Sequence, residues 1–115
     1  MPKRLPAVVG FLLLAACQRS DVKVLIGATT VTAPGAAPIE DSVIVVAGRT
    51  IRSVGLRQDV PVTQDSERTD LRGKWVAPAD GARIAPGEPA NLVVLDHAHG
   101  AVVRRLTDGQ WQSAP

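Results

Sequence analysis

The residues of this chain best suited to chemistry are two histidines one position apart, in the run Asp96-His97-Ala98-His99. On an extended strand, residues i and i+2 point to the same side, so the two imidazoles could share a cation. A hydrolytic zinc site takes three protein ligands and keeps a fourth position open. Asp96 could be the third ligand only if a turn folds it back, so the expected state of this run is a solvated loop between strands, with metal binding as the alternative. Other chemistry is thinner. Ser20, Ser42, Ser53, Ser66 and Ser113 lack a Gly-x-Ser-x-Gly setting, and the histidines all lie in one short run, which leaves a nucleophile without a base. Gly27, Gly48, Gly55 and Gly73 stand singly and build no phosphate-cradling loop. Asp70 and Asp80 could be drawn as an acid/base pair, but their polar neighbours and the nearby Gly73 and Gly81 assign them to turns and caps. No catalytic, cofactor-binding or metal-binding residue is therefore assigned.

The single cysteine, Cys17, belongs to a different chemistry. Met1-Pro2-Lys3-Arg4 is followed by an apolar stretch over residues 5–16 and then by Cys17, the charged start, short apolar core and small-residue cleavage site of a secretory signal. That stretch is too short to span a bilayer comfortably as a helix. Leu14-Ala15-Ala16-Cys17 resembles the lipobox of bacterial lipoproteins. The resemblance implies diacylation of the Cys17 thiol, cleavage before Cys17 and acylation of the new amino terminus. Each buried methylene then adds roughly 0.8 kcal/mol of anchoring. An ordinary signal with a chance cysteine, or a short buried helix, are the plainer alternatives. Gln18 stands where an Asp would retain a lipoprotein at the inner membrane, which leans toward the outer membrane, with the protein facing the periplasm. The expected division is a signal helix over residues 1–16, the lipidated cysteine and a short linker over 17–21, and a folded domain over 22–115.

Length and composition bound that domain. A chain of 115 residues has room for one domain. It is too short for a (β/α)8 barrel, which needs about 250 residues. One cysteine excludes an internal disulfide framework. With 45% hydrophobic and 21% charged residues, the chain can form a core. Cleavage before Cys17 leaves 99 residues and removes Lys3 and Arg4, so 11 basic residues face 11 acidic ones. The only adjacent basic pair left is Arg104-Arg105, and a phosphate-tracking patch needs more; no nucleic-acid partner is expected. The linker reaches only about 15 Å at about 3.5 Å per residue, so the domain is expected close to the membrane surface.

The elements that would position any site read as strands. Short apolar runs cover residues 22–26, 28–32, 42–46, 50–54, 75–77, 92–95, 101–106 and 110–112, separated by turn residues and without helical periodicity. The fold class expected is all-β, a small β-sandwich. Ala47-Gly48 and Asp108-Gly109 predict tight hairpins. Residues 43–46 are apolar on both sides, which predicts a central strand buried on both faces. Residues 33–38, with two prolines and a glycine, break any ladder, and the polar residues 58–68 predict a loop. Trp75 and Trp111 are expected in the core, each indole N–H with a partner; stacking on a ligand is the alternative.

The order of the segments resembles a known family. Val24-Leu25-Ile26-Gly27-Ala28-Thr29-Thr30-Val31, Ile39-Glu40-Asp41-Ser42-Val43-Ile44-Val45, Gly48-Arg49-Thr50-Ile51-Arg52-Ser53-Val54-Gly55 and Thr69-Asp70-Leu71-Arg72-Gly73-Lys74-Trp75-Val76-Ala77-Pro78 are similar to the N-terminal part of the metal-dependent amidohydrolases, imidazolonepropionase-like members included. Ile84-Ala85-Pro86-Gly87-Glu88-Pro89-Ala90-Asn91-Leu92-Val93-Val94-Leu95-Asp96 is similar to the segment that returns from the family's barrel, where the Asn91 position is usually Asp. The resemblance spans about residues 22–112 and implies the family's composite β-sandwich domain. In the family, the strand ending like Trp75-Val76-Ala77-Pro78 leads directly to a His-x-His metal motif. In that register the ligand positions here are Ile84 and Pro86, neither of which can coordinate a cation. Residues 79–83 stand where about 250 would be needed for the barrel.

Three functions follow as expectations. The leading one is a membrane-anchored, non-catalytic remnant of an amidohydrolase that binds or scaffolds and needs no cofactor. Its partners would be membrane lipid through Cys17 and either a barrel-bearing protein or a second copy of itself. The next is the non-catalytic part of a hydrolase acting on carbon–nitrogen bonds other than peptide bonds, its barrel carried on another chain or deleted. The third is weak periplasmic metal binding through His97 and His99.

Overall fold

The computed structural model describes residues 21–62 and 65–112; Cys17 and the expected signal helix lie outside them. Within them the chain is all-β, in two mixed sheets. The strands are β1 (Val22–Ile26), β2 (Thr29–Thr30), β3 (Ser42–Ala47), β4 (Thr50–Leu56), β5 (Glu67–Asp70), β6 (Trp75–Pro78), β7 (Leu92–Leu95), β8 (Val102–Thr107) and β9 (Gln110–Trp111). Sheet one runs β4-β3-β1-β5 and sheet two β2-β6-β7-β8-β9. Among the described residues no helix is long and apolar enough to cross a membrane.

Strand alternation builds the core between the sheets. Leu25, Ile44, Val46 and Ile51 of sheet one pack in one buried cluster with Val76, Leu92, Val94 and Leu106 of sheet two, so the sheets meet face to face as a sandwich. The residues between them on β1 and β3, namely Val24, Val43 and Val45, point the other way and pack with Val60 on the outer side of sheet one. The expected double burial of β3 is therefore realised, and the cover comes from a loop. Val60, with Val62 packed against the same cluster, lies in the stretch predicted to be a polar loop; two apolar side chains around Pro61 are too short a pattern to reveal the cover.

Two β-bulges aim side chains that plain alternation would misplace. The β3/β4 register passes from Val45↔Ser53 to Val46↔Ile51, leaving Arg52 without a partner. The extra residue puts Ile51 and Val54, three apart, against the same core. On β8 the register passes from Val94↔Arg104 to Leu95↔Val102, which leaves Val103 as the extra residue.

The chain changes sheets three times, at β1–β2, β2–β3 and β5–β6, and the first and last crossings lie side by side. β1 passes to β2 through Gly27 and Ala28, and β5 passes to β6 through residues 71–74. β1 runs parallel to β5 and β2 parallel to β6, and the two crossings are stitched by Leu71 N–H to Ile26 O at 2.8 Å and Thr29 N–H to Lys74 O at 3.0 Å. Gly27 is required at this corner. Its φ is +92° and a Cβ there would lie 2.5 Å from Arg72 Cγ, so both the backbone conformation and the space exclude a side chain.

The hairpins are where the dipeptides put them, with one shift. Asp108 and Gly109 both have positive φ, as a two-residue turn of type I′ requires. The other turn is Gly48-Arg49, since Ala47 already pairs with Thr50. Glu67 and Arg68, read as loop, instead open β5. Its sequence, Glu-Arg-Thr-Asp, has no apolar alternation; what makes it a strand is the exposed edge of β1, whose backbone it satisfies in parallel.

Candidate functional site

The residues singled out for metal chemistry do not converge. His97 and His99 sit in the turn that follows β7 rather than on an extended strand, and His99 has φ +59°, so the i, i+2 alternation that would align their rings does not apply. His97 Nδ1 lies 3.0 Å from its neighbour's carbonyl, Ala98 O. The Asp96 carboxylate is taken by Lys74, whose Nζ donates to Oδ1 at 3.2 Å. Among the described residues no three His, Cys, Asp or Glu side chains are grouped to hold a metal ion.

The other candidates have structural occupations. Asp70 accepts from Arg72 Nε and from Arg72 Nη2, the latter at 2.8 Å, and from the Arg72 backbone N–H at 3.0 Å. These bonds from Arg72 hold its pKa below the usual aspartate value. Asp80 lies beyond the far end of β6, in the turn with Gly81. Ile84 is 2% exposed and part of the inter-sheet core. Its N–H donates to Thr32 O at 2.9 Å, and the link before it is one tight turn, Ala82 N–H to Ala79 O at 2.9 Å.

The tryptophans divide. Trp111 packs against the core as expected, and the Arg104 guanidinium lies 3.7 Å from its ring centroid, a cation–π contact. Its Nε1, however, is buried without a partner among the described residues, against the expectation. Trp75 departs further. Val76 faces the core, so Trp75 and Ala77 face outward on the free side of sheet two, where Trp75 is only partly buried.

That outward face carries a feature not anticipated from sequence, an apolar groove of about 450 Å³. Its floor is Val31, Trp75, Ala77 and Leu95, one wall is the proline-rich segment with Pro34 and Pro38, and Ala98 and His99 form the opposite rim. The wall is fixed at its base. Thr30 and Ile39 exchange backbone hydrogen bonds of 2.9 and 2.8 Å, which closes residues 31–38 into a compact surface loop. A turn from Ala36 N–H to Ala33 O at 3.0 Å folds the loop on itself. The prolines thus break a ladder, as predicted, and in doing so supply rigid apolar surface. A concave apolar site of this volume with a single titratable rim residue has the make-up of a ligand pocket. The one sequence signal for it was the proline pair beside a strand starting in Trp, and that signal has no meaning until β6 is known to pair with β2 and β7.

Comparisons with known proteins bear on half the chain. No protein family and no curated protein matches the sequence. Among solved structures, molinate hydrolase is similar over 51% of this chain and 13% of its own, at 25% identity and a TM-score of 0.45. A prolidase complexed with N-methylphosphonate-L-proline is similar over 50% of this chain and 14% of its own, at 29% identity and a TM-score of 0.43. The likeness is to a small part of larger hydrolases. This chain spans far less than two thirds of either protein's length.

Proposed function

We propose that this chain is a non-catalytic binding module, derived from the sandwich of an amidohydrolase and held at the periplasmic side of a membrane by lipid on Cys17. The observation that carries the reading is Ile84. At the place where the resembling family would begin its metal motif, the chain makes one turn and buries an isoleucine in the inter-sheet core. The segment thus serves packing, and it offers no donor atoms for coordination. What the sandwich does offer is the apolar groove on its outer face, which suits binding without chemistry. The turn geometry of His97 and His99 and the capture of Asp96 by Lys74 weigh against the metal-binding alternative.

Two measurements test the reading. A chain starting at residue 17 and carrying Cys17→Ser should show no chelator-sensitive hydrolysis of amides, ureas or cyclic imides; turnover that metal chelation abolishes would overturn the non-catalytic assignment. In a bacterial host, labelled palmitate should enter the full chain and fail to enter its Cys17→Ser variant. Equal labelling of both would remove the lipid anchor.

A further inference from the structure

We propose that the groove on the outer face of sheet two receives the tail of a long-chain carboxylate, whose head group meets the guanidinium of Arg105. The inference names the ligand class for the binding-module reading and rests on it. Strand register supplies the argument. The β6-β7-β8 pairings set Trp75, Leu95 and Val102 in one row across the sheet, and Ala77, Val93 and Arg105 in the next. The first row leaves the groove at Leu95 and continues to Val102, which is 48% exposed. An alkyl chain seated against Trp75 therefore has an apolar track to follow.

Arg105 closes the second row. It stands two strands from Ala77, about 10 Å at the usual interstrand spacing, and its side chain is exposed. The ion pairs among the described residues are Arg57–Asp41, Arg72–Asp70 and Lys74–Asp96, so Arg105 carries an uncommitted charge on the groove's own face. A guanidinium presents a planar fork that a carboxylate can meet with both oxygens. Apolar groove and free cation together fit an amphiphile with one anionic end. A second copy of the chain fits less well. The exposed aliphatic surface on β8 comes down to Val102 and Val103, each 48% exposed, far short of the roughly 800 Å² per partner that a stable interface buries.

The test uses the chain from residue 17 with Cys17→Ser, since every described strand and core residue lies between Asp21 and Gln112. Dodecanoate and 1-dodecanol, below their aggregation limits, are measured by equilibrium dialysis. Saturable one-site binding of dodecanoate is expected, weakened at least tenfold by Ala77→Trp, which fills the groove, and by Trp75→Ala, which strips its floor. Arg105→Gln lies on the exposed surface and should leave the fold intact; it should weaken dodecanoate at least fivefold and leave dodecanol unchanged. The proposal is overturned by the absence of saturable binding, by binding indifferent to both groove variants, or by an Arg105→Gln effect equal for acid and alcohol. Chelator-sensitive hydrolysis measured on the same sample would instead remove the binding-module reading itself, so the two failures are distinct.

Discussion

Thr30 and Ser42 hydrogen-bond to each other through their hydroxyls at 2.7 Å, and each belongs to a different sheet. Both are buried. Ser42 Oγ donates onward to Ala28 O at 2.7 Å, so the Thr30 hydroxyl donates to Ser42 and the chain of bonds ends on a backbone carbonyl. The pair closes the corner where the chain leaves β1 for β2. A buried hydroxyl that loses its partner costs about 1–3 kcal/mol, while removing both partners costs less. Ser42→Ala, which leaves the Thr30 hydroxyl without its acceptor, should destabilise by that amount, Thr30→Val by less because Ser42 keeps Ala28 O, and the double variant by clearly less than the sum, as chemical denaturation of all four proteins would reveal. Strict additivity would mean the two hydroxyls do not depend on each other.

Gly109 sits with its α-carbon against the Gly48 carbonyl, so that a Cβ there would overlap it, and its φ is +80°. Gly35 has nearly the same φ, +81°, but open space around it. The two positions separate backbone conformation from crowding. Gly35→Ala should cost about 1 kcal/mol, the conformational penalty alone. Gly109→Ala should cost at least twice as much, because the turns of β3–β4 and β8–β9 must move apart. Melting temperatures of the two variants, compared under one buffer, check the ranking.

Ile84→Ala should lose about 2–5 kcal/mol, the range for truncating a fully buried aliphatic side chain. Ile84→His, which restores an imidazole at that sequence position, should destabilise the protein and gain no tight zinc site, since the position lies in the apolar inter-sheet core and a zinc site takes at least three protein ligands. Calorimetric titration showing tight zinc binding by this variant would contradict the placement of Ile84 in the core.

The Asp70–Arg72 contact sets a weak acid-side dependence. Arg72 lowers the Asp70 pKa from its usual 3.8, so the folded state holds the proton less tightly than the unfolded chain. The linked stability is present above pH 3.8 and disappears as the pH falls through the lower folded value. Both side chains are more than half exposed, so solvent screens the pair and the effect is small. Asp70→Asn should leave stability at pH 7 little changed and flatten its decline below pH 4; a decline as steep as in the unaltered protein would assign the acid sensitivity elsewhere.

Residues of the core and the groove differ in how far the sequence exposes them. Val43, Ile44, Val45 and Val46 announce a strand covered on both sides, because no alternation is left to mark a wet face, and both sides are covered. Asp108-Gly109 announces its turn, because both positions accept positive φ. β5 announces nothing, since Glu67 and Arg68 become strand only by pairing with β1. Trp75 looks like a core residue by type, yet Val76 takes the core and Trp75 takes the opposite face.

The amino-acid order by itself determined the all-β class, the strand rhythm and the absence of donors at positions 84 and 86, because these depend on residue type and local spacing. Tertiary structure alone decided which face of sheet two stays uncovered, that a proline loop walls it, and that Arg105 shares it with Trp75. The physical reason is period two: a strand's sequence separates its residues into two faces, but only its neighbours and the loops laid over it decide which face meets water.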